Sequence, residues 1–250
     1  MRLLRYLWRI PLLLAHLLLA VPVALLVQSE WAARRRRQGE PLNLYLVRWW
    51  TRTMLGIIGI RPRRFGEPLP DPVMFVANHV SWLDIELLHS QRAVCFVAKA
   101  EIARWPVIGW MSSHAGTIFH QRGSNESMGR VIERMSERLQ RGRAVAAFPE
   151  GGTGPVERVR TFHARILQAA LEVDVPIQPV ALRYSRDGKA WAGVAFRAGE
   201  SFFANVWRMI GEAPLDAEVH FLEPLDNHEQ GRKALAGEAR RRVADALGLE

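Results

Sequence analysis

The chain has 250 residues, 49% of them hydrophobic, which suffices for one large α/β domain, or one domain plus an appendage, and excludes a disordered chain. Its net charge of +9 lies wholly in the first quarter: residues 1–70 hold twelve arginines, no lysine and three glutamates, and the rest carries 22 basic and 22 acidic residues. Such asymmetry points to an anionic partner surface, nucleic acid or lipid headgroups. A single cysteine, Cys95, rules out an intrachain disulfide, and the histidines show no CxxC or HExxH spacing, so no metal site is expected.

The first element is Ile10 to Val27, eighteen residues without a charge. As a helix it would span ~27 Å, barely a bilayer core. Three arginines precede it and Arg34–Arg37 follow it. A signal peptide, a buried core helix, a transmembrane helix and a shallow or re-entrant membrane helix all fit this run; basic flanks on both sides suit both ends staying cytoplasmic. Leu42 to Ile60 then places Leu42, Leu46, Trp49, Trp50, Met54, Leu55, Ile57 and Ile58 against Arg48 and Arg52. A basic, Trp-bearing amphipathic helix suits a membrane interface, and a helix packed on a core is the alternative. An eighteen-residue apolar run has no use on nucleic acid. Residues 1–66 are therefore expected to form a membrane-associated helical hairpin, with 67–250 as the catalytic domain.

After the proline-rich connector 67–72, strand and helix signals alternate. Strands are predicted at 73–77, 93–98, 115–119, 143–148, 177–184, 192–197 and 217–222. Helices are predicted at 81–90, 104–113, 125–141, 161–173, 203–210 and 228–247. The alternation predicts an α/β fold, a central mostly parallel or mixed sheet covered by helices.

The chemistry gathers at the junctions. Asn78-His79-Val80-Ser81-Trp82-Leu83-Asp84 follows the first of these strands and opens a helix. With Ser81 as N-cap, Asp84 falls at N3, close to a capping box. The same placement turns a carboxylate back toward His79, where it would fix the tautomer and leave the other ring nitrogen to take a proton from an alcohol. No G-x-S-x-G elbow occurs in the chain, so the alcohol would belong to a substrate. Phe148-Pro149-Glu150-Gly151-Gly152-Thr153-Gly154 ends a strand in a glycine loop, either an anion cradle or an ordinary flexible turn. Gly116 to Arg122 ends another strand in an arginine suited to a phosphate or to a surface ion pair.

The order of these stretches resembles the lysophospholipid acyltransferase family, typified by 1-acylglycerol-3-phosphate acyltransferases. Its His-x4-Asp block is met by His79 and Asp84, its G-x-x-F-x-x-R block by Gly116 to Arg122, and its F-P-E-G-T block by Phe148 to Gly151, with Gly152 in place of the threonine and Thr153 one position later. Its V-P-I-x-P-V block is met by Val175 to Val180, including Pro176 and Pro179, and Lys99 lies in a segment similar to the family's Lys-x-Glu. The resemblance implies a glycerolphosphate acyltransferase-like fold, His79 as general base and Asp84 as its orienter. Arg122, Glu150, Gly151, Gly152, Thr153 and Lys99 would bind substrate, and Pro176 and Pro179 would serve the acyl donor or the structure. It further implies transfer from acyl-CoA or acyl-carrier protein to 1-acylglycerol-3-phosphate, giving phosphatidate, without a cofactor. The site would lie on the cytoplasmic side of the membrane and act on membrane lysophospholipids. Gly152 keeps another acceptor open, such as lyso-ornithine lipid. A non-catalytic lipid-binding membrane protein is the reading from a different class.

Overall fold

The structure is a computed structural model that describes residues 1–105, 108–114, 116–121, 125–225 and 230–249. In chain order the helices are α1 (Arg2–Leu18), α2 (Ala20–Gln28), α3 (Glu30–Arg34), α4 (Leu42–Ile58), α5 (Leu83–Gln91), α6 (Ile108–His114), α7 (Asn125–Gln140), α8 (Gln168–Val173), α9 (Phe202–Gly211) and α10 (Gly231–Leu247). The strands are β1 (Arg36–Arg37), β2 (Glu40–Pro41), β3 (Ile60–Phe65), β4 (Met74–Ala77), β5 (Cys95–Lys99), β6 (Ile118–His120), β7 (Val145–Ala147), β8 (Ile177–Arg186), β9 (Lys189–Ala190) and β10 (Leu215–Phe221). The fold is α/β, a mixed sheet flanked by helices. Arg122 and the start of the predicted helix 228–247 lie outside the described residues.

The chain forms two compact units. One comprises Met1–Arg64, Val80–Ala93 and Arg183–Val219, the other Phe65–His79, Val94–Leu182 and His220–Glu250.

In the second unit the strand order is β8-β4-β7-β5-β6. These strands pair in parallel, with Val76 opposite Ala147 and Pro179, and Lys99 opposite His120. Both faces are covered, which is why β4 and β7 read as unbroken apolar runs. The core packs Met74, Val76 and Val145 with Val131 and Met135 of α7, Leu167, Ala170, and Leu235 and Val243 of α10. The predicted helix 161–173 begins instead as a 3₁₀ turn, Ala164–Leu167, before α8.

In the first unit, β3 pairs with β10, β10 with β8, and β9 runs antiparallel to the end of β8. The strand predicted at 192–197 is absent; Ala192–Val194 forms a 3₁₀ turn that buries Val194 instead of alternating its side chains. α5 packs on α4, whose Arg48 and Arg52 donate to the carbonyls of Gln91 and Ser90 at the C-terminus of α5. Cations there meet the negative end of the helix dipole.

α1 is amphipathic with its polar stripe turned inward. Arg9, only 1% exposed, donates through Nη1 to the carbonyls of Ile210 and Glu212, both at 2.8 Å. Arg5 donates to the carbonyl of Gly211, Tyr6 to that of Trp207, and the His16 ring stacks on Trp50 at 3.6 Å. Leu3, Leu4, Leu7, Leu14 and Leu18 are exposed. Arg2–Gln28 is a helical stretch of 27 residues, long and apolar enough to cross a membrane by length and composition.

Candidate active site

Parallel sheets place ligands beyond the carboxyl ends of their strands. That edge of the second unit collects three of the sequence-predicted features: His79 two positions past β4, the Phe148 to Gly154 loop past β7, and Lys99 at the exposed end of β5; His120 ends β6 at the same edge.

The side chain of Asn78 continues the ladder where β4 ends. Its Nδ2 donates to the carbonyl of Leu182 at 3.0 Å and its Oδ1 accepts from the Leu182 N–H at 2.8 Å. His79 comes next and is held on both sides of its backbone. Its N–H donates to Glu150 Oε1 at 2.8 Å, and its carbonyl accepts from the Gly154 N–H at 2.7 Å. The half-buried imidazole stacks on Phe148, centroids 4.0 Å apart and planes within 11°. The first and third sequence blocks are thus hydrogen-bonded to each other.

Glu150 is the buried centre of this arrangement. Oε2 accepts from the Arg160 N–H at 3.2 Å, so each carboxylate oxygen takes a backbone donor. Burial pushes the carboxyl above the usual carboxylate range, and the bonds from His79 and Arg160 pull it part of the way back. Gly151 adopts φ +73°, a left-handed turn suited to glycine. A Cβ on Gly154 would lie 2.9 Å from Arg160 Cδ and 3.1 Å from Glu150 Oε2, so a side chain there would have to displace both. Gly152 and Thr153 form the outer part of the loop, with Thr153 exposed.

Pro176 directly precedes β8, and Pro179 lies within it opposite Val76. The Pro176 carbonyl accepts from the Met74 N–H, and the Pro179 carbonyl from the Leu222 N–H, both at 3.0 Å. His120 Nδ1 lies 3.0 Å from Ser127 Oγ.

In the first unit, Asp84 is fully buried at the start of α5. Its Oδ2 accepts from the N–H groups of Val80 at 2.7 Å and Ser81 at 2.8 Å, the carboxylate half of the expected capping box. The other half is weak: Ser81 Oγ lies 3.4 Å from the Leu83 N–H, and Trp82, not Ser81, is the N-cap. Oδ1 accepts from the Tyr184 hydroxyl at 2.7 Å. Burial, then the charge and hydrogen bond of Asp84, hold that hydroxyl protonated well above its ordinary range. Trp82 Nε1 donates to Asn205 Oδ1 at 2.9 Å.

Sequence reasoning missed Tyr184, Arg160 and Asn205. Tyr184 carries no spacing signal, being 100 positions from its partner. Arg160 had a faint one, the basic pair Arg158 and Arg160 soon after the glycine loop.

The half-buried His79 imidazole thus stands at the carboxyl edge of an α/β sheet, its backbone gripped by a glutamate–glycine loop. The Acyltransferase family model matches residues 63–183. The lyso-ornithine lipid O-acyltransferase of Pseudomonas aeruginosa is 38% identical over 224 residues, 88% of this chain and 86% of the relative. The 1-acyl-sn-glycerol-3-phosphate acyltransferase of Neisseria gonorrhoeae is 35% identical over 173 residues, 69% of this chain and 68% of the relative. The crystal structure of the 1-acyl-sn-glycerophosphate acyltransferase PlsC from Thermotoga maritima has the same fold, with a TM-score of 0.70 at 20% identity over 100% of this chain and 99% of that one. The chain belongs to the lysophospholipid acyltransferase family and is an O-acyltransferase.

Proposed function

We propose that this enzyme acylates the free hydroxyl of a membrane lysolipid, with lyso-ornithine lipid as its acceptor. The observation that carries the acceptor is the extent of similarity: likeness to the Pseudomonas enzyme runs through 224 residues, well beyond the catalytic blocks, against 173 for the glycerophosphate-type relative. The departure at Gly152, on the outer part of the loop, supports an acceptor other than lysophosphatidate. The second reading is 1-acylglycerol-3-phosphate as acceptor with phosphatidate as product, favoured by the Neisseria relative.

In this mechanism His79 takes the proton of the acceptor hydroxyl as its oxygen attacks the thioester carbonyl of acyl-CoA or acyl-carrier protein. Asp84 fixes the tautomer and stabilises the imidazolium. The tetrahedral intermediate collapses, the ester forms, and the thiolate leaves with the proton from His79. No cofactor enters. Lys99 and Arg122 supply positive charge for head group or oxyanion, and the loop Gly151-Gly152-Thr153 contacts the acceptor. Glu150 acts through the backbone it holds. Residues 1–66 seat the enzyme in the cytoplasmic membrane, with the catalytic residues on the cytoplasmic side. The inward polar stripe of α1 and its outward leucines support this seat.

The test is an acceptor panel at equal concentration with oleoyl-CoA and with oleoyl-acyl-carrier protein, products read by mass spectrometry. Preference for lyso-ornithine lipid supports the first reading. Preference for lysophosphatidate replaces it with the second. Thioester cleavage at the same rate without any lysolipid sinks both.

A further inference from the structure

α9 lies in the C-terminal half of the sequence, where the helix predicted at 203–210 reads as one of those covering the sheet. Its surface does not fit that reading. Phe203 is 62% exposed and Trp207 56% exposed, four residues apart and so on one helix face. The opposite face is firmly built in. Ser201 caps the helix by accepting from the Ala204 N–H, Met209 and Ile210 are buried, and Arg208 forms a buried ion pair with Glu200 while donating to the carbonyls of Gly193 and Ala195. The helix is therefore locked with two large aromatic side chains facing outward.

The same aromatic face continues into α1. Tyr6 stacks on Trp207 with centroids 4.8 Å apart. Arg5 and Arg9 bond the last carbonyls of α9, and Gly211 lets α1 close on it, since a Cβ there would meet Tyr6 Oη at 2.5 Å. These polar contacts fix α1 to α9 without burying the leucines, so Leu3, Leu4 and Leu7 of α1 stand exposed with Phe203 and Trp207. An exposed apolar face of this kind marks a contact surface. Aromatic side chains at its border and arginines nearby are the composition of a membrane interface.

We propose that α9 is a second membrane-contacting element, inserting Phe203 and Trp207 into the lipid interface beside α1. This rests on the membrane seat proposed for residues 1–66. The occupant is the lipid of the bilayer itself, because the face is continuous with the one helix among the described residues that is long and apolar enough to enter it. The consequence reaches the catalytic segment: Trp82 bonds Asn205 and meets the Phe202 ring edge-on at 5.6 Å, so α9 ties the turn that carries Asp84 to the lipid-facing side of its unit.

Two labelled full-length proteins test it, each with Cys95→Ala: Phe203→Cys and Leu14→Cys, carrying an environment-sensitive fluorophore. They are mixed with vesicles of phosphatidylcholine and phosphatidylglycerol containing a spin-labelled quencher lipid. Blue-shifted emission and quenching at both positions support the proposal. A response at position 14 but none at 203 overturns it and leaves the membrane seat standing. Silence at both positions overturns both. A response at 203 that follows protein concentration without lipid assigns the face to a second copy and also overturns it. An unlabelled Phe203→Ser/Trp207→Ser protein gives an independent readout: vesicle affinity should fall at least roughly tenfold with the melting temperature retained. Unchanged affinity overturns the proposal.

Discussion

The Tyr184 hydroxyl, at the far end of β8, donates a 2.7 Å hydrogen bond to Oδ1 of the buried Asp84. This bond orders the carboxylate on the side that its two backbone donors do not occupy. Tyr184→Phe should lower kcat about tenfold with KM nearly unchanged, and stability by about 1–3 kcal/mol, as expected for a buried bond to a charged group. If Tyr184 acts through Asp84, the double variant Tyr184→Phe/Asp84→Asn should turn over no more slowly than Asp84→Asn alone. Fully additive losses would assign Tyr184 a structural role only.

Asp84→Asn separates charge from capping. An asparagine can keep its oxygen toward the Val80 and Ser81 N–H groups and turn its amide toward Tyr184, whose hydroxyl can rotate to accept. Stability should change by less than about 1 kcal/mol. Turnover should fall ~10²–10⁴-fold, in step with His79→Ala, because the neutral amide cannot stabilise an imidazolium. Retained turnover would reduce Asp84 to a helix cap.

Glu150→Gln should damage the site although it removes only a charge. Both carboxylate oxygens accept backbone N–H groups, so the amide nitrogen must face one of two donors. We expect a loss of about 1–3 kcal/mol by chemical unfolding. Turnover should fall as well, with KM for the acyl donor little changed. Gly154→Ala should act in the same direction by pushing on Glu150 Oε2 and Arg160.

Two groups on α5 should oppose each other in pH dependence. Burial pushes the Glu86 carboxyl up to about 7 and the His89 imidazole down to about 4. A raised carboxyl contributes stability that is lost as pH rises from 4.5 to 7; a depressed imidazole contributes stability that is lost as pH falls from 6.5 to 4. Each amounts to about 3 kcal/mol at most, since Glu86 keeps some surface. Between pH 4.5 and 6.5 the slopes cancel. Melting curves in detergent should therefore be nearly flat for the wild type, rise with pH for Glu86→Gln, and fall with pH for His89→Gln. Parallel profiles for all three would refute the pairing of opposite slopes.

The carboxyl edge of the sheet was legible because its residues come in short consecutive runs. His79, Lys99 and the Phe148 to Gly154 loop each follow an apolar run that reads as a strand, and β4, β5, β6 and β7 fall where that pattern predicts them. β3 was not legible: Ile60 reads as the end of the helix predicted over Leu42 to Ile60 and Arg61 to Phe65 as part of the helical hairpin, yet Ile60–Phe65 is an end strand, where proline and charge are tolerated. The predicted strand 192–197 failed for the converse reason, as its alternating apolar residues serve a turn. The helix of the His-x4-Asp segment starts later than the Ser81 cap implied, because Asp84 satisfies the Val80 and Ser81 donors without a strong Ser81 bond. Tyr184 lay beyond any pattern, since only the fold brings the end of β8 to Asp84.

The glycine loop after β7 divides into a frame and an editable tip. Glu150 and Gly154 are committed to the backbone of His79, so a substitution at either disturbs His79 itself. Gly152 and Thr153 bear no such duty in the geometry around His79. Under the proposed mechanism, a change of acceptor would be written into the side chains of these two positions, whose carbonyls alone face Arg160, while Glu150 and Gly154 keep hold of His79.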